Sequence, residues 1–326
     1  MDFQLTDDQR ALRAGVRELL AARFGRERLR AAVDEGPRLD RTLWRELGEA
    51  GFFALRLPEA DGGVGLGLPE TVLAFEEAGR VLLPGPLIAT HLAAGAVEGA
   101  ATGRTVVAAV DGGGLVEWLA QADVVRGDAT GAVPLRSVDP LTPLHRVPGP
   151  SSTDPGADSS VARPPGDSPA DHRPADPLVV LLTAAEQLGT AARTCEMAVQ
   201  HARTREQFGQ PIGAFQAVKH LCARMLVRVE LARAAVYAAA VTADPVDIAA
   251  ARLLADDAAV HGARDCLQVH GGMGFTWESD VHLYLKRAWT RTQRAGSTTE
   301  SEELLAGDLA AGVGRQGAVQ AQSGMM

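Results

Sequence analysis

The chain has 326 residues, 46% of them hydrophobic, and 32 basic against 41 acidic side chains give a net charge of −9. That length suffices for one large core or two moderate ones, and an acidic balance with no Lys/Arg run or basic–aromatic interleaving excludes a nucleic-acid surface. No apolar run approaches the roughly 20 residues of a membrane span, and no basic-then-apolar leader opens the chain, so a cytoplasmic protein with neither a membrane nor a nucleic-acid partner is expected.

Thr6 with Gln9 three residues on forms a capping box, and Leu12, Val16, Leu19 and Leu20 follow at helical spacing, so the first helix starts there. Asp40 ahead of Leu43, Trp44 and Leu47, closed by Gly51, predicts a second helix, and a third runs from about Pro69 to Gly79. Between them Leu57–Gly67 is glycine-rich, but no strand precedes it, which argues against a dinucleotide-binding loop. The stretches 105–110, 122–125 and 132–135 read as short strands of a small β unit. From Pro148 to Pro177 the composition turns to Pro, Ser, Asp and Gly, and such a segment cannot bury enough surface to offset its ordering entropy; a disordered tether is expected.

Beyond the tether, helices are expected near 178–204, 214–243, 246–269, 279–289 and 300–311, a four-helix bundle with one extra terminal helix. Asp244, Pro245 and Asp247 give three agreeing cues for the start of the third. Cys195, Cys222 and Cys266 fall on helices, an odd count without pair spacing, and read as reduced thiols. No Cys/His cluster has metal-ligand spacing, and no Gly-x-Ser-x-Gly elbow of a hydrolase is present. The first two helices of the bundle are joined by Arg205-Glu206-Gln207-Phe208-Gly209-Gln210-Pro211-Ile212-Gly213-Ala214-Phe215-Gln216. A cation and two amides beside helix ends suit a phosphate or nucleotide clamp, and equally the polar elbow of an ordinary hairpin. For Phe208 a place in the core is as good a reading as a place in a site.

Arg205-x-x-Phe208-Gly209-x-x-Ile212-x-x-Phe215-Gln216 resembles the signature of the acyl-CoA dehydrogenase family, flavoenzymes that desaturate acyl-CoA thioesters. Gln268-Val269-His270-Gly271-Gly272-Met273-Gly274-Phe275 is similar to the family's second motif, and Pro58-Glu59 with Gly62-Gly63 to a turn between its early helices. The resemblance implies a mainly α, acyl-CoA dehydrogenase-like fold: an N-terminal helical domain (1–90), a reduced middle β domain (91–147), the linker (148–177) and the C-terminal bundle (178–326). It implies FAD, an acyl-CoA substrate and an electron-transferring flavoprotein-like acceptor. By the same resemblance Arg205 pairs with pyrophosphate, Gln207, Phe208, Gln216 and Gln268 lie at the cofactor, Gly271 and Gly272 allow close backbone approach, and Gly296, Ser297 and Thr299 reach the flavin.

Two departures matter. The family's middle-domain loop that holds the flavin ring has no counterpart here, and its two usual base positions fall on Val179 and Ala295, neither a carboxylate. Asp176 and Glu186 are the carboxylates near the first of these, and surface roles compete with a catalytic one for both. The pattern implies a subunit that completes the FAD site of a full-length acyl-CoA dehydrogenase partner. A self-sufficient homo-oligomeric enzyme with a relocated base and a non-catalytic scaffold of the same fold are the alternatives.

Overall fold

The computed structural model describes residues 4–36, 38–148, 175–294 and 297–323. The N-terminal block contains α1 (Asp7–Arg23), α2 (Arg26–Asp34), α3 (Arg41–Glu49), α4 (Leu68–Arg80) and α5 (Leu87–Ala93). The capping box is present: Gln9 N–H donates to Thr6 Oγ1 and Thr6 N–H donates to Gln9 Oε1, each at 3.1 Å. Asp40 caps α3 by accepting from Thr42 and Leu43. The glycine-rich stretch between α3 and α4 holds a 3-10 turn at Glu59–Asp61 and no strand.

The middle segment carries β1 (Val107–Ala109), β2 (Leu115–Glu117), β3 (Val124–Arg126), β4 (Val133–Leu135) and β5 (Leu144–Arg146). β1 and β3 pair in parallel, while β5 lies between β2 and β4 in an antiparallel sheet with His145 opposite both Val116 and Pro134. β1, β3 and β4 fall in or overlap the expected stretches; β2 and β5 were not foreseen.

The rest is α6 (Pro177–Thr204), a hairpin of β6 (Glu206–Gln207) and β7 (Gln210–Pro211), α7 (Gln216–Thr242), α8 (Pro245–His270), α9 (Val281–Thr292) and α10 (Thr298–Ser323). Asp244 caps α8 and Pro245 opens it, as its sequence cues require. Asp176 and Pro177, expected in the tether, instead cap and open α6. The remainder of that tether, 149–174, lies outside the described residues. α10 runs well past the expected end at 311, because no Gly–Pro stop follows it.

α6 is the axis of the molecule. Its residues from Val180 to Ala192 are almost all buried, on every face, because α4, α7 and α8 surround it. Apolar side chains from Leu20 in α1 to Ala288 in α9 form one continuous core that joins the N-terminal block to the bundle. The α4–α6 crossing has no side-chain layer at its centre. A Cβ built on Gly79 would fall on the Glu186 carbonyl oxygen, and one on Gly189 would fall on that of Glu76, both inside van der Waals contact. Two glycines therefore let the helix backbones touch.

Candidate functional site

α6 ends at Arg205, whose N–H donates to the His201 carbonyl at 2.9 Å, and Ile212 N–H donates back to the Arg205 carbonyl at 2.8 Å. These bonds fold the β6–β7 hairpin against the helix end. Its turn is Phe208-Gly209, with φ of +54° and +77°. A bulky side chain rarely adopts the left-handed region. Phe208 does so while 92% exposed, with Phe215 edge-on at 6.0 Å as its aromatic neighbour. It is not a core residue. The Arg205 side chain is exposed and bonded to no described residue, Gln207 donates to the Glu206 carbonyl at 2.7 Å, and Gln216 begins α7 facing solvent.

The second motif comes to the same end of the bundle because α8 runs parallel to α6. Gln187 donates to Asp256 at 2.8 Å, Gly262 packs on Thr194, and at the ends His201 stacks on His270 with ring centroids 4.1 Å apart and planes 19° apart. Gln268 is exposed, and its carbonyl accepts the N–H of Gly271, which turns the chain out of the helix at φ +62°. A Cβ on Gly271 or Gly272 would meet nothing within 4 Å. Gly271 is explained by its backbone angle; for Gly272 the chain itself supplies no packing reason. Ser297 and Thr299 do not join this cluster. Thr298, between them, approaches Asp256 at 3.5 Å, which places the start of α10 about 20 Å back along α8 from His270. Gly296 and Ala295 lie outside the described residues.

The two carboxylates singled out near Val179 have different surroundings. Asp176 is exposed, accepts the Leu178 N–H at 2.9 Å as the cap of α6, and lines a cavity of about 340 Å³ with Phe53, Arg56, His91, Arg126 and Leu178. His91 there is 5% exposed, its Nδ1 lies 3.1 Å from the Phe53 carbonyl, and burial together with Arg56 lowers its pKa to about 4. Glu186 lies ten residues further along α6 and is 4% exposed.

Glu186 belongs to an ion network that sequence reasoning missed. Arg287 and Arg291 near the end of α9 and Arg294 just beyond it, at i, i+4 and i+7, meet three acids of the middle segment: Asp139 at 2.5 Å, Glu117 at 2.9 Å and Asp111 at 3.1 Å. Arg291 Nε also faces Glu186 at 2.8 Å, an ion pair without hydrogen-bond alignment. Burial pushes Glu117 up, but Arg291 and Arg294 outweigh it and hold that carboxyl below its usual range. For Glu186 burial wins, and its carboxyl sits above the usual range. The visible signal was the spacing of the three arginines, which puts them on one helix face; their acidic partners lie too far away in sequence to read. Among the described residues no group of three His, Cys, Asp or Glu is arranged to hold a metal ion.

The family models described as acyl-CoA dehydrogenase, N-terminal domain and acyl-CoA dehydrogenase, C-terminal domain match residues 6–103 and 181–307. Acyl-CoA dehydrogenase IpdE2 of Mycobacterium tuberculosis is 36% identical over an alignment covering 90% of this chain and 95% of that protein. The protein of the same name from Mycolicibacterium smegmatis is 33% identical, covering 94% and 100%. Among solved structures, the ChsE4-ChsE5 complex from Mycobacterium tuberculosis contains a chain with a TM-score of 0.76 at 26% identity, covering 95% of this chain and 99% of that one.

Proposed function

Since this chain belongs to the acyl-CoA dehydrogenase family, we propose that it acts in the α,β-desaturation of an acyl-CoA thioester as the subunit that completes the FAD site of a full-length partner. The observation that carries this is the bundle end: Phe208 stands 92% exposed on a left-handed backbone, with Phe215 alone as an aromatic neighbour among the described residues, beside an exposed Arg205 bonded to no described residue. A solvent-exposed aromatic held against its backbone preference marks a surface shaped for something outside the chain.

The residues present fit the adenosine-pyrophosphate end of FAD. Arg205 supplies a guanidinium for the two phosphates. The open space at Gly272 admits close backbone approach. Gln216 and Gln268 offer exposed amides, and Phe208 a flat apolar face. The fit does not extend to the flavin ring, because the acids of the middle segment and the arginines of α9 are bound to each other. Glu186 has its own task there, as a partner of Arg291. FAD when bound supplies the hydride acceptor for the β carbon; in this reading the carboxylate that removes the α proton and the ring site come from the partner. The heteromeric ChsE4-ChsE5 complex among the structural neighbours supports the paired arrangement, and an electron-transferring flavoprotein-like carrier is the acceptor we propose.

A second reading rests on Asp176, which lines the cavity at the start of α6: the chain works alone with Asp176 as base. One experiment separates the two. Visible spectra and released flavin are measured on the chain alone and on the chain co-expressed with a full-length homologue. Flavin at about one per two chains, present only with the partner, is the expected outcome, and Arg205→Ala then weakens FAD retention by about ten- to a hundredfold, the loss of one charge-assisted contact. One FAD per chain without a partner overturns the proposal in favour of Asp176. Colourless protein in both preparations leaves a scaffold of the same fold.

A further inference from the structure

The bundle end carries two histidines that neither family motif uses for the cofactor. We propose that His201 and His270 form, with Arg205, a proton-coupled anion site, so that docking of a pyrophosphate group draws a proton onto the stacked pair and binding tightens as pH falls. This rests on the FAD reading above and adds two residues and a pH dependence to it.

Three observations carry the inference. The rings are stacked at 4.1 Å, one from α6 and one from α8, so the pair bridges the two halves of the clamp. Arg205 lies one helical turn beyond His201 and its charge acts on that ring. The Nδ1 of His270 is 2.8 Å from the Cys266 carbonyl; a carbonyl only accepts, so Nδ1 carries the proton and Nε2 is the free nitrogen.

The groups around the stack explain the coupling. Arg205 comes from α6, and His270 and the Cys266 thiol from α8; Glu206 on the hairpin and Lys219 and His220 at the start of α7 are exposed, and none of them is paired with either ring. Among the described residues, then, no carboxylate neutralises the pair. Burial, His270 and Arg205 together lower the pKa of His201. Two imidazolium rings in contact beside a guanidinium repel, so the stack disfavours a double charge. An incoming dianion supplies the missing counter-charge. It favours the protonated form, and by linkage protonation favours the anion to the same extent.

The test uses FAD itself, because its pyrophosphate is a diester that stays doubly charged across the interval. Flavin-stripped complex of this chain with its partner is titrated with FAD at several pH values from about 8 to about 6. A one-unit rise of one imidazole pKa on binding corresponds to affinity rising up to about tenfold as pH falls through that range. His201→Phe keeps a flat ring on His270 without a titrating nitrogen, and its profile is expected to change less than about twofold over the same range, whatever its level at pH 8. A second measurement needs no variant: the binding heat of the wild-type complex differs between buffers of unequal ionisation enthalpy if a proton is taken up. A flat wild-type profile, equal heats, or an unchanged slope in His201→Phe overturns the inference while leaving the FAD reading intact. FAD binding at no pH overturns both.

Discussion

At the scale of single residues, the site divides into what a local motif displays and what only the fold creates. Arg205, Gln216, Gln268 and the glycine pair could be nominated from the sequence because each motif is contiguous and its chemistry is written in neighbouring side chains. The exposure of Phe208 was not, since hydrophobicity alone pointed it inward as readily as outward. The histidine stack was missed although His201 lies four residues before Arg205 and His270 stands inside the second motif. His91 shows how burial writes a pH dependence that no spacing reveals. Its folded pKa, about 4, lies below the ordinary value of 6.5, so the folded state prefers the neutral ring. Its contribution is complete above about pH 6.5 and is lost progressively as pH falls toward about 4. Urea unfolding at about pH 7 and about pH 4.5 is expected to show His91→Gln losing about 2 to 3 kcal/mol less stability than the wild type over that interval.

At the scale of elements, the starts of the bundle helices were legible to within two residues, while α10 runs past its expected end. Asp244-Pro245, the capping box at Thr6 and the long periodic runs each state where a helix begins. Of the middle strands β1, β3 and β4 were legible, but β2 was not, because it is buried at all three positions and gives no alternation. Nor was the reason for Gly189 in the middle of α6, which costs helix propensity and looks like a defect until α6 and α4, with Gly79 near its end, are seen to cross. Gly189→Ala drives a methyl group into the Glu76 carbonyl, and a shift of the whole crossing is required to relieve it. Thermal or urea unfolding is expected to show a loss of about 3 kcal/mol. Gly15 on α1 is the control, with nothing within 4 Å of its Cβ position; Gly15→Ala is expected to gain about 0.5 to 1 kcal/mol from helix propensity and chain entropy.

At the scale of the whole molecule, a row of buried ion pairs joins the middle segment to the bundle, beside the apolar contacts of Val106 and Leu141. Asp111, Glu117 and Asp139 reach across to Arg294, Arg291 and Arg287, with Glu186 sharing the middle guanidinium. Buried pairs of this kind contribute little net stability when intact, but removing one partner is costly. Arg291→Met removes the ion-pair partner of two buried carboxylates and is expected to lower stability by about 3 to 5 kcal/mol in denaturant unfolding, while adding Glu117→Gln and Glu186→Gln restores much of the loss. That network was illegible in the sequence because its members come from the middle segment, α6 and the end of α9. The α4–α6 crossing has one more consequence. Domain closure by shear needs side chains that change rotamers as one helix slides over another, and two helices in backbone contact have none to offer at that point. At that crossing the N-terminal block and the bundle are therefore locked against sliding over one another.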